Sequence, residues 1–452
     1  MTTASTLPVR EIVSDRSNGS KIERYQSWGR YPKAAHRNVS KIYWRDQLEE
    51  ALRKAEPESL LAYGMGRSYG DSCLNSDRDL LDCKALNRIL DCDWEAGRVC
   101  VEAGITLGDL LEVIVPRGWF MPVVPGTKFV TVGGAIANDI HGKNHHRAGT
   151  FGCHVKQITL HRSDTSPVVC SPATNSDLLQ ATIGGLGLTG VIGSAEIQLK
   201  RIAGNAIEVE TLTFRDLNQF LDLSAASDQS HEYTVAWVDC LSRGGRGIFF
   251  RGSHAEKNVS CRSTKITVPF AFPEFGLNRP AVKLFNRAYF GLKARKPGSA
   301  VIHYDPFFFP LDSILNWNLL YGRRGLVQYQ CVLPAGDAGA VKTIIEAVSK
   351  SGEACFLAVL KAFGEIQSPG LLSFPRPGLT LALDLPMRGN RTLALLSRLD
   401  ELVLANGGAL YPAKDARMSS TMFKSGFPNW ASLVPYIDPK FSSSFWRRAT
   451  AE

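Results

Sequence analysis

The chain has 452 residues, 44% of them hydrophobic and 21% charged, and a formal net charge of +9. That length exceeds a single core, so two or three domains able to enclose a large ligand are expected, and the basic balance favours an acidic partner such as a phosphorylated substrate, anionic lipid or nucleic acid. Nucleic acid is set aside because no run of five Lys/Arg and no zinc-finger or RNP-type motif occurs.

The first twenty residues, MTTASTLPVREIVSDRSNGS, lack a basic segment followed by an apolar one, and no uncharged apolar run reaches about 18 residues. A cytoplasmic protein is expected, with at most peripheral contact at the inner face of the plasma membrane. The ten cysteines form no C-x-x-C pair, which predicts reduced thiols and no metal site.

In chain order, the first 200 residues alternate short strand-like runs (60–64, 99–105, 191–199) with glycine turns and short helices such as 106–115. From 205 to 406 longer strands (325–333, 379–386) alternate with helices (338–351, 391–405), the pattern of an α+β domain on an antiparallel sheet. The predicted division is 1–203, 204–408 and a C-terminal segment, 409–452, that returns to the first domain.

The stretch VVPGTKFVTVGGAIANDIHGKNHHRAGTFG, residues 123–152, sets Gly126, Gly133, Gly134, Gly142, Gly149 and Gly152 among three histidines, with Gly66 in a second loop upstream. Glycine lets backbone approach a ligand closely, and consecutive N–H groups make an anion-binding concavity. Apolar Val130, Val132, Ala135 and Ile136 interleave with the glycines, which a solvated loop would not require.

Two other glycine motifs invite a dinucleotide reading. Gly185, Gly187 and Gly190 match G-x-G-x-x-G, with Glu208 and Glu210 at about the right distance. The following VIGSAEIQL, however, alternates like a strand where that motif must open a helix. The run from Gly64 to Gly70 is spaced G-x-G-x-x-x-G and must hold phosphate in another way.

Between Val268 and Phe309 aromatic residues (Phe270, Phe272, Phe275, Phe285, Tyr289, Phe290, Phe307, Phe308, Phe309) mix with Arg287, Lys293, Arg295 and Lys296. Two readings stand: a membrane-facing surface, or a helix whose aromatic side packs on the body of the protein.

Taken together, YGMGRSYGD, VPGT followed by VTVGGAIANDIHGKNHHRAGTFG, and IGGLGLTGVIGSAEIQL resemble the FAD-binding domain of the vanillyl-alcohol-oxidase and p-cresol-methylhydroxylase (PCMH) superfamily. Within it, IHGKNHH, AWVDC, FFFPLD, LVQYQ, LSFPRPG and AKDAR resemble the decaprenylphosphoryl-β-D-ribose 2′-oxidases, and the likeness covers nearly the whole chain. It implies a two-domain α+β protein with Gly64, Gly66, Arg67, Ser68 and Gly70, then Pro125, Gly126, Thr127, Gly133, Gly134, Asn138, His141 and Gly142, then Gly187, Ile192 and Tyr411 around FAD. Many superfamily members tether flavin through a histidine where this chain has Arg67, so non-covalent FAD is implied.

The same resemblance places Lys414 by flavin N1 and C2=O, with Tyr69 and His141 beside the ring as further catalytic candidates. A cation there stabilises charge that develops on the ring. Read without it, Lys414 is a surface lysine paired with Asp415. Lys143, Trp237, Asn318, Gln328, Gln330, Lys361 and Ala382 are the implied substrate contacts. Ala382 stands where the mycobacterial-type oxidases carry a cysteine that covalent inhibitors attack.

The implied reaction is oxidation of the 2′-hydroxyl of a polyprenyl-phosphoryl-β-D-ribose to the keto sugar. An NAD(P)H-dependent short-chain reductase would complete epimerisation to arabinose. The alternative is an FAD-dependent oxidase of a free sugar or aldonolactone.

Overall fold

The computed structural model describes residues 25–451 apart from 243, 262–264, 296, 335–337 and 354. A parallel three-stranded sheet is built from Asn38–Lys41, Asp79–Asp82 and Leu60–Tyr63, in that spatial order. Next to it an antiparallel sheet has Val191–Gln198 at its centre, flanked by Arg98–Glu102 and Val155–His161. The Gly185–Gly190 motif thus leads into a strand, as the alternation of VIGSAEIQL requires. Helix Leu107–Ile114 covers this sheet, with the Thr106 hydroxyl accepting from the Asp109 N–H at 3.1 Å as its N-cap.

Among the described residues the largest sheet has eight antiparallel strands in the order Gly298–His303, Ala206–Phe214, Gly247–Ala255, Tyr233–Val238, Ala358–Phe363, Gly378–Pro386, Leu326–Pro334 and Ala409–Leu410. Its two faces follow from a side-chain period of two. Leu379, Leu381, Leu383 and Leu385 enter the core shared with helices Leu217–Asp228, Ala338–Ser351 and Asn390–Ala405. Thr380, Ala382 and Asp384 therefore take the opposite face. Val327, Tyr329 and Cys331 against Gln328 and Gln330 repeat the division on the next strand. Each buried leucine stabilises this arrangement by about 1.5–3 kcal/mol, and a one-residue slip would exchange the faces.

Residues after 408 bridge these parts. Ala409 and Leu410 extend the large sheet alongside Val332 and Cys331. Further on, Phe441 lies parallel to Leu60 at the edge of the three-stranded sheet, where the Leu60 N–H donates to the Lys440 carbonyl at 2.8 Å. Helix Ser444–Thr450 packs on the turn Asp71–Cys73, and Arg448 pairs with both Asp71 (2.7 Å) and Asp415 (2.8 Å).

The aromatic stretch divides. Phe307, Phe308 and Phe309 are buried in the core that packs on the sheet centred on Val191–Gln198, whereas Phe270, Phe272 and Phe285 are exposed. The Phe275 side chain and Lys296 lie outside the described residues.

Candidate functional site

A cavity of about 1040 Å³ lies between the glycine loops and the free face of the large sheet. The first loop enters it directly after Leu60–Tyr63. Gly66 takes φ +59°, and a Cβ on Gly64 would stand 2.6 Å from the Thr131 hydroxyl, so only glycine lets the two loops meet. Among the described residues, the backbone N–H groups of Met65, Gly66, Arg67 and Ser68 meet no acceptor, nor do those of Gly126 and Thr127. Two runs of unpaired donors beside a cavity form an anion seat. Gly126 faces open space, and Thr131 caps the short helix Val132–Ala137 by accepting from the Gly134 N–H at 3.1 Å.

Of the residues expected around FAD, Gly64, Gly66, Arg67, Ser68, Pro125, Gly126, Thr127, Gly133, Gly134, Asn138, His141, Gly142, Gly187, Ile192 and Tyr411 line this cavity. Gly70 does not. It packs against the chain beside Lys414, where an added Cβ would lie 1.6 Å from the Asp415 carbonyl oxygen. The Arg67 guanidinium is stacked 4.2 Å from the Trp28 ring centroid and 5.1 Å from that of Phe129, its Nε without a partner. Tyr411 donates its hydroxyl to the Asn138 carbonyl (2.8 Å) and stacks on Phe374 at 4.7 Å.

Tyr69, His141 and Lys414 also reach the cavity. The Tyr69 N–H donates to the Ala413 carbonyl at 2.9 Å, which brings the AKDAR loop onto the first glycine loop and sets Lys414 Nζ 4.1 Å from the Tyr69 ring centroid. Asp415 is taken by Arg448, so the surface pairing of Lys414 with Asp415 does not form. Burial lowers the pKa of Lys414, and the nearby Asp384 carboxylate pushes it back up.

Asp384 was not foreseen from the sequence. It is fully buried behind the cavity wall, accepts from Gln328 Nε2 at Oδ1, and has no partner at Oδ2. Burial raises its pKa, while Gln328 and Lys414 oppose the rise. Lys414, Tyr69, Gln328 and Asp384 thus form one connected polar group. The alternation LTLALDLP is the signal that could have found Asp384, since it puts this carboxylate on the face of Ala382.

His141 is held neutral, mainly by burial and next by the charge of Lys361. Gln330 Nε2 donates to His141 Nε2 at 3.0 Å, which leaves the ring proton on Nδ1, and Nδ1 has no protein partner. It is a donor available to a ligand.

Of the expected substrate contacts, Lys143, Trp237, Gln328, Gln330, Lys361 and Ala382 line the cavity. Asn318 is not among its lining residues. Its amide donates to the Trp28 carbonyl at 2.8 Å and its carbonyl accepts from Arg30 at 3.1 Å, which fixes it in the 3-10 turn Trp317–Tyr321 as a structural clamp. Ala382 pairs with Gln330 and Val359, and its small side chain leaves room between them. Trp237 is anchored by its indole N–H to the Phe356 carbonyl at 2.9 Å.

A family model described as an FAD binding domain matches residues 45–171. Decaprenylphosphoryl-beta-D-ribose oxidase of Mycolicibacterium smegmatis is 35% identical over 94% of this chain and 97% of its own length. An uncharacterized protein of Streptomyces coelicolor, from the mprA 5′ region, is 33% identical over 76% of this chain and 99% of its own. L-gulonolactone oxidase of Mus musculus shares 30% over 40% of this chain. A cavity walled by glycine loops with free amide donors, and a relative matched almost end to end, lead to one assignment: the chain belongs to the decaprenylphosphoryl-β-D-ribose oxidase family of PCMH-type FAD-binding proteins and is an FAD-dependent oxidoreductase.

Proposed function

We propose that this protein oxidises the 2′-hydroxyl of a polyprenyl-phosphoryl-β-D-ribose to the 2′-keto sugar, the first half of an epimerisation to arabinose that a short-chain NAD(P)H-dependent reductase completes. The observation that carries the reading is the cavity itself, which continues from the glycine loops past Trp237 to an apolar region under helix Arg279–Ala294, lined by Phe250, Ile302 and Phe285. A free sugar or aldonolactone has no use for that region. Turnover of a prenyl-phosphoryl ribose, with none of free ribose or of an aldonolactone, is the expected result; the reverse preference would defeat the reading.

FAD fits the residues present: the unpaired amides at residues 65–68 and 126–127 would hold a diphosphate, and the unpaired Nδ1–H of His141 would be free to donate to a ring acceptor. When bound, FAD supplies a hydride acceptor for the carbinol carbon. Lys414 supplies positive charge beside it, Tyr69 is held under Lys414 as the hydrogen-bonding partner for the substrate hydroxyl, and His141 donates without changing charge. The cofactor-binding unit is 1–203, the substrate unit 204–408, and the segment from 409 delivers Tyr411 and Lys414 to the first unit. FAD is held non-covalently, since Arg67 occupies the tethering position and is not a nucleophile. Acid denaturation should release all the flavin to the supernatant and leave a chain of unmodified mass; flavin in the precipitate would contradict this.

The lipid is reached from the membrane surface. Helix Arg279–Ala294 buries Val282 (3% exposed) and Asn286 (0%, donating to Asp239 at 2.8 Å) yet exposes Leu284 (70%) and Leu292 (64%), and Phe270 (63%) is exposed ahead of it in the chain. Arg287 and Arg295 are exposed in the same segment, whereas Lys293 turns into the cavity near the Phe250 ring. No described helix is long and apolar enough to cross a membrane. Vesicles containing anionic lipid should therefore sediment the protein at low salt and release it as the Debye length falls below about 8 Å. Leu284→Asp with Leu292→Asp should abolish sedimentation at any salt concentration; sedimentation unaffected by these changes would remove this helix as the docking surface.

A further inference from the structure

The free face of the large sheet changes character from strand to strand. At one end it presents Gln328 and Gln330, then Lys361; from the adjoining strand Tyr233–Val238 onward it presents Trp237, Phe250 and Ile302. Polar and apolar halves meet between Ala358–Phe363 and Tyr233–Val238, which are paired through Ala236 and Leu360.

Two lysines stand at that boundary. Lys361 comes from the sheet, and its Nζ donates to the Gly142 carbonyl at 3.4 Å. Lys143 comes from the opposite wall. Its backbone carbonyl accepts from the Thr234 N–H at 2.8 Å, at the start of the first apolar strand, and its ammonium donates to the Phe307 carbonyl. Among the described residues neither lysine is paired with a carboxylate. Each ammonium has three donors, so both retain donors for a ligand. Two enclosed like charges without counter-ions are costly. Burial first, and then the charge of Lys361 on Lys143 and of Lys414 on Lys361, lower both pKa values to about 7, the direction expected of cations whose anion arrives with the ligand.

We propose that Lys143 and Lys361 form the seat for the phosphodiester of the lipid-linked substrate. The sugar lies toward Gln328, Gln330 and Lys414, and the hydrocarbon chain runs over Trp237, Phe250 and Ile302 toward the exposed helix. A phosphodiester carries one charge on two non-bridging oxygens, and one oxygen falls to each lysine. This inference rests on the lipid-linked reading and adds to it the direction in which the substrate lies. The same chemistry would suit the cofactor's own diphosphate, and the test separates the two.

The experiment titrates FAD-loaded holoenzyme with farnesyl phosphate, farnesol and inorganic phosphate. Lys143→Met and Lys361→Met should each weaken farnesyl phosphate by about 10-fold or more, leaving farnesol affinity and FAD content unchanged. The Lys→Arg variants, which keep the charge, should recover most of the affinity if folding is intact. Phe250→Ser should weaken farnesyl phosphate and farnesol alike and spare inorganic phosphate. Equal losses of farnesyl phosphate and farnesol in the methionine variants would overturn the seat, because the lysines would then act by packing. So would a fall in FAD content with farnesyl phosphate binding intact, which would give the pair to the cofactor. Turnover distinguishes this failure from that of the functional reading. If the wild type oxidises a prenyl-phosphoryl ribose and the Lys143→Met/Lys361→Met enzyme does so at unchanged KM, the seat falls and the function stands. If farnesyl phosphate binds through the pair but no prenyl-phosphoryl ribose is oxidised, the seat stands and the function falls.

Discussion

Replacing Lys414 by alanine is expected to slow flavin reduction about 10²-fold, a loss of about 3 kcal/mol of transition-state stabilisation, in a protein that still folds and still holds FAD. The expectation follows from placement: Lys414 Nζ sits over Tyr69 at the cavity wall, and the carboxylate whose charge acts on it, Asp384, is buried. Stopped-flow reduction under excess substrate measures it, and wild-type rates in the alanine variant would make Lys414 structural. Asp384→Asn gives the accompanying sign. The Asp384 charge raises the pKa of Lys414, so its removal lowers that pKa. Lys414 then loses its proton at lower pH, and the alkaline fall in reduction rate moves down by about 1 pH unit. An unmoved profile would mean that Asp384 does not govern the charge on Lys414.

The second large effect separates folding from cofactor binding. Gly126 lines the cavity with nothing within 4 Å of where its Cβ would be, so Gly126→Leu should fold with stability within about 0.5 kcal/mol of the apoprotein and yet purify colourless. Gly70→Ala should do the opposite and cost more than about 4 kcal/mol, because its Cβ would overlap the Asp415 carbonyl. A yellow Gly126→Leu protein with full FAD content would remove residues 125–127 from the proposed cofactor site. Thermal melts of both apoproteins and their absorbance spectra are sufficient to decide.

The glycine loops were legible because close approach and positive φ leave a compositional mark: Gly64, Gly66 and Gly126 can be found by reading. So could strand Gly378–Pro386, whose leucines alternate. What alternation cannot supply is register. That Gln328 lies opposite Asp384 depends on how two strands separated by a helix and a further strand pair, and so the polar group behind Lys414 stayed hidden. Asn318 was misplaced for a related reason. Its role is set by contacts with Trp28 and Arg30 from a distant part of the chain, which local sequence does not announce. Residues 268–309 share one composition, yet Phe307 is core and Phe270 faces solvent, because composition carries no information about which side of a wall a ring ends on.

The route of the chain after residue 408 bears on biogenesis. A ribosome delivers residues in order, and Tyr69 emerges long before Lys414, Phe441 and Arg448. The edge of the three-stranded sheet at Leu60 and the turn at Asp71 wait for partners, Phe441 and Arg448, that are made much later. Nascent chains therefore expose an unpaired strand edge and an open cavity until the segment after residue 408 has emerged. The cavity is walled only once the segment carrying Tyr411 and Lys414 has emerged, so chains made in cells short of flavin should be more readily proteolysed.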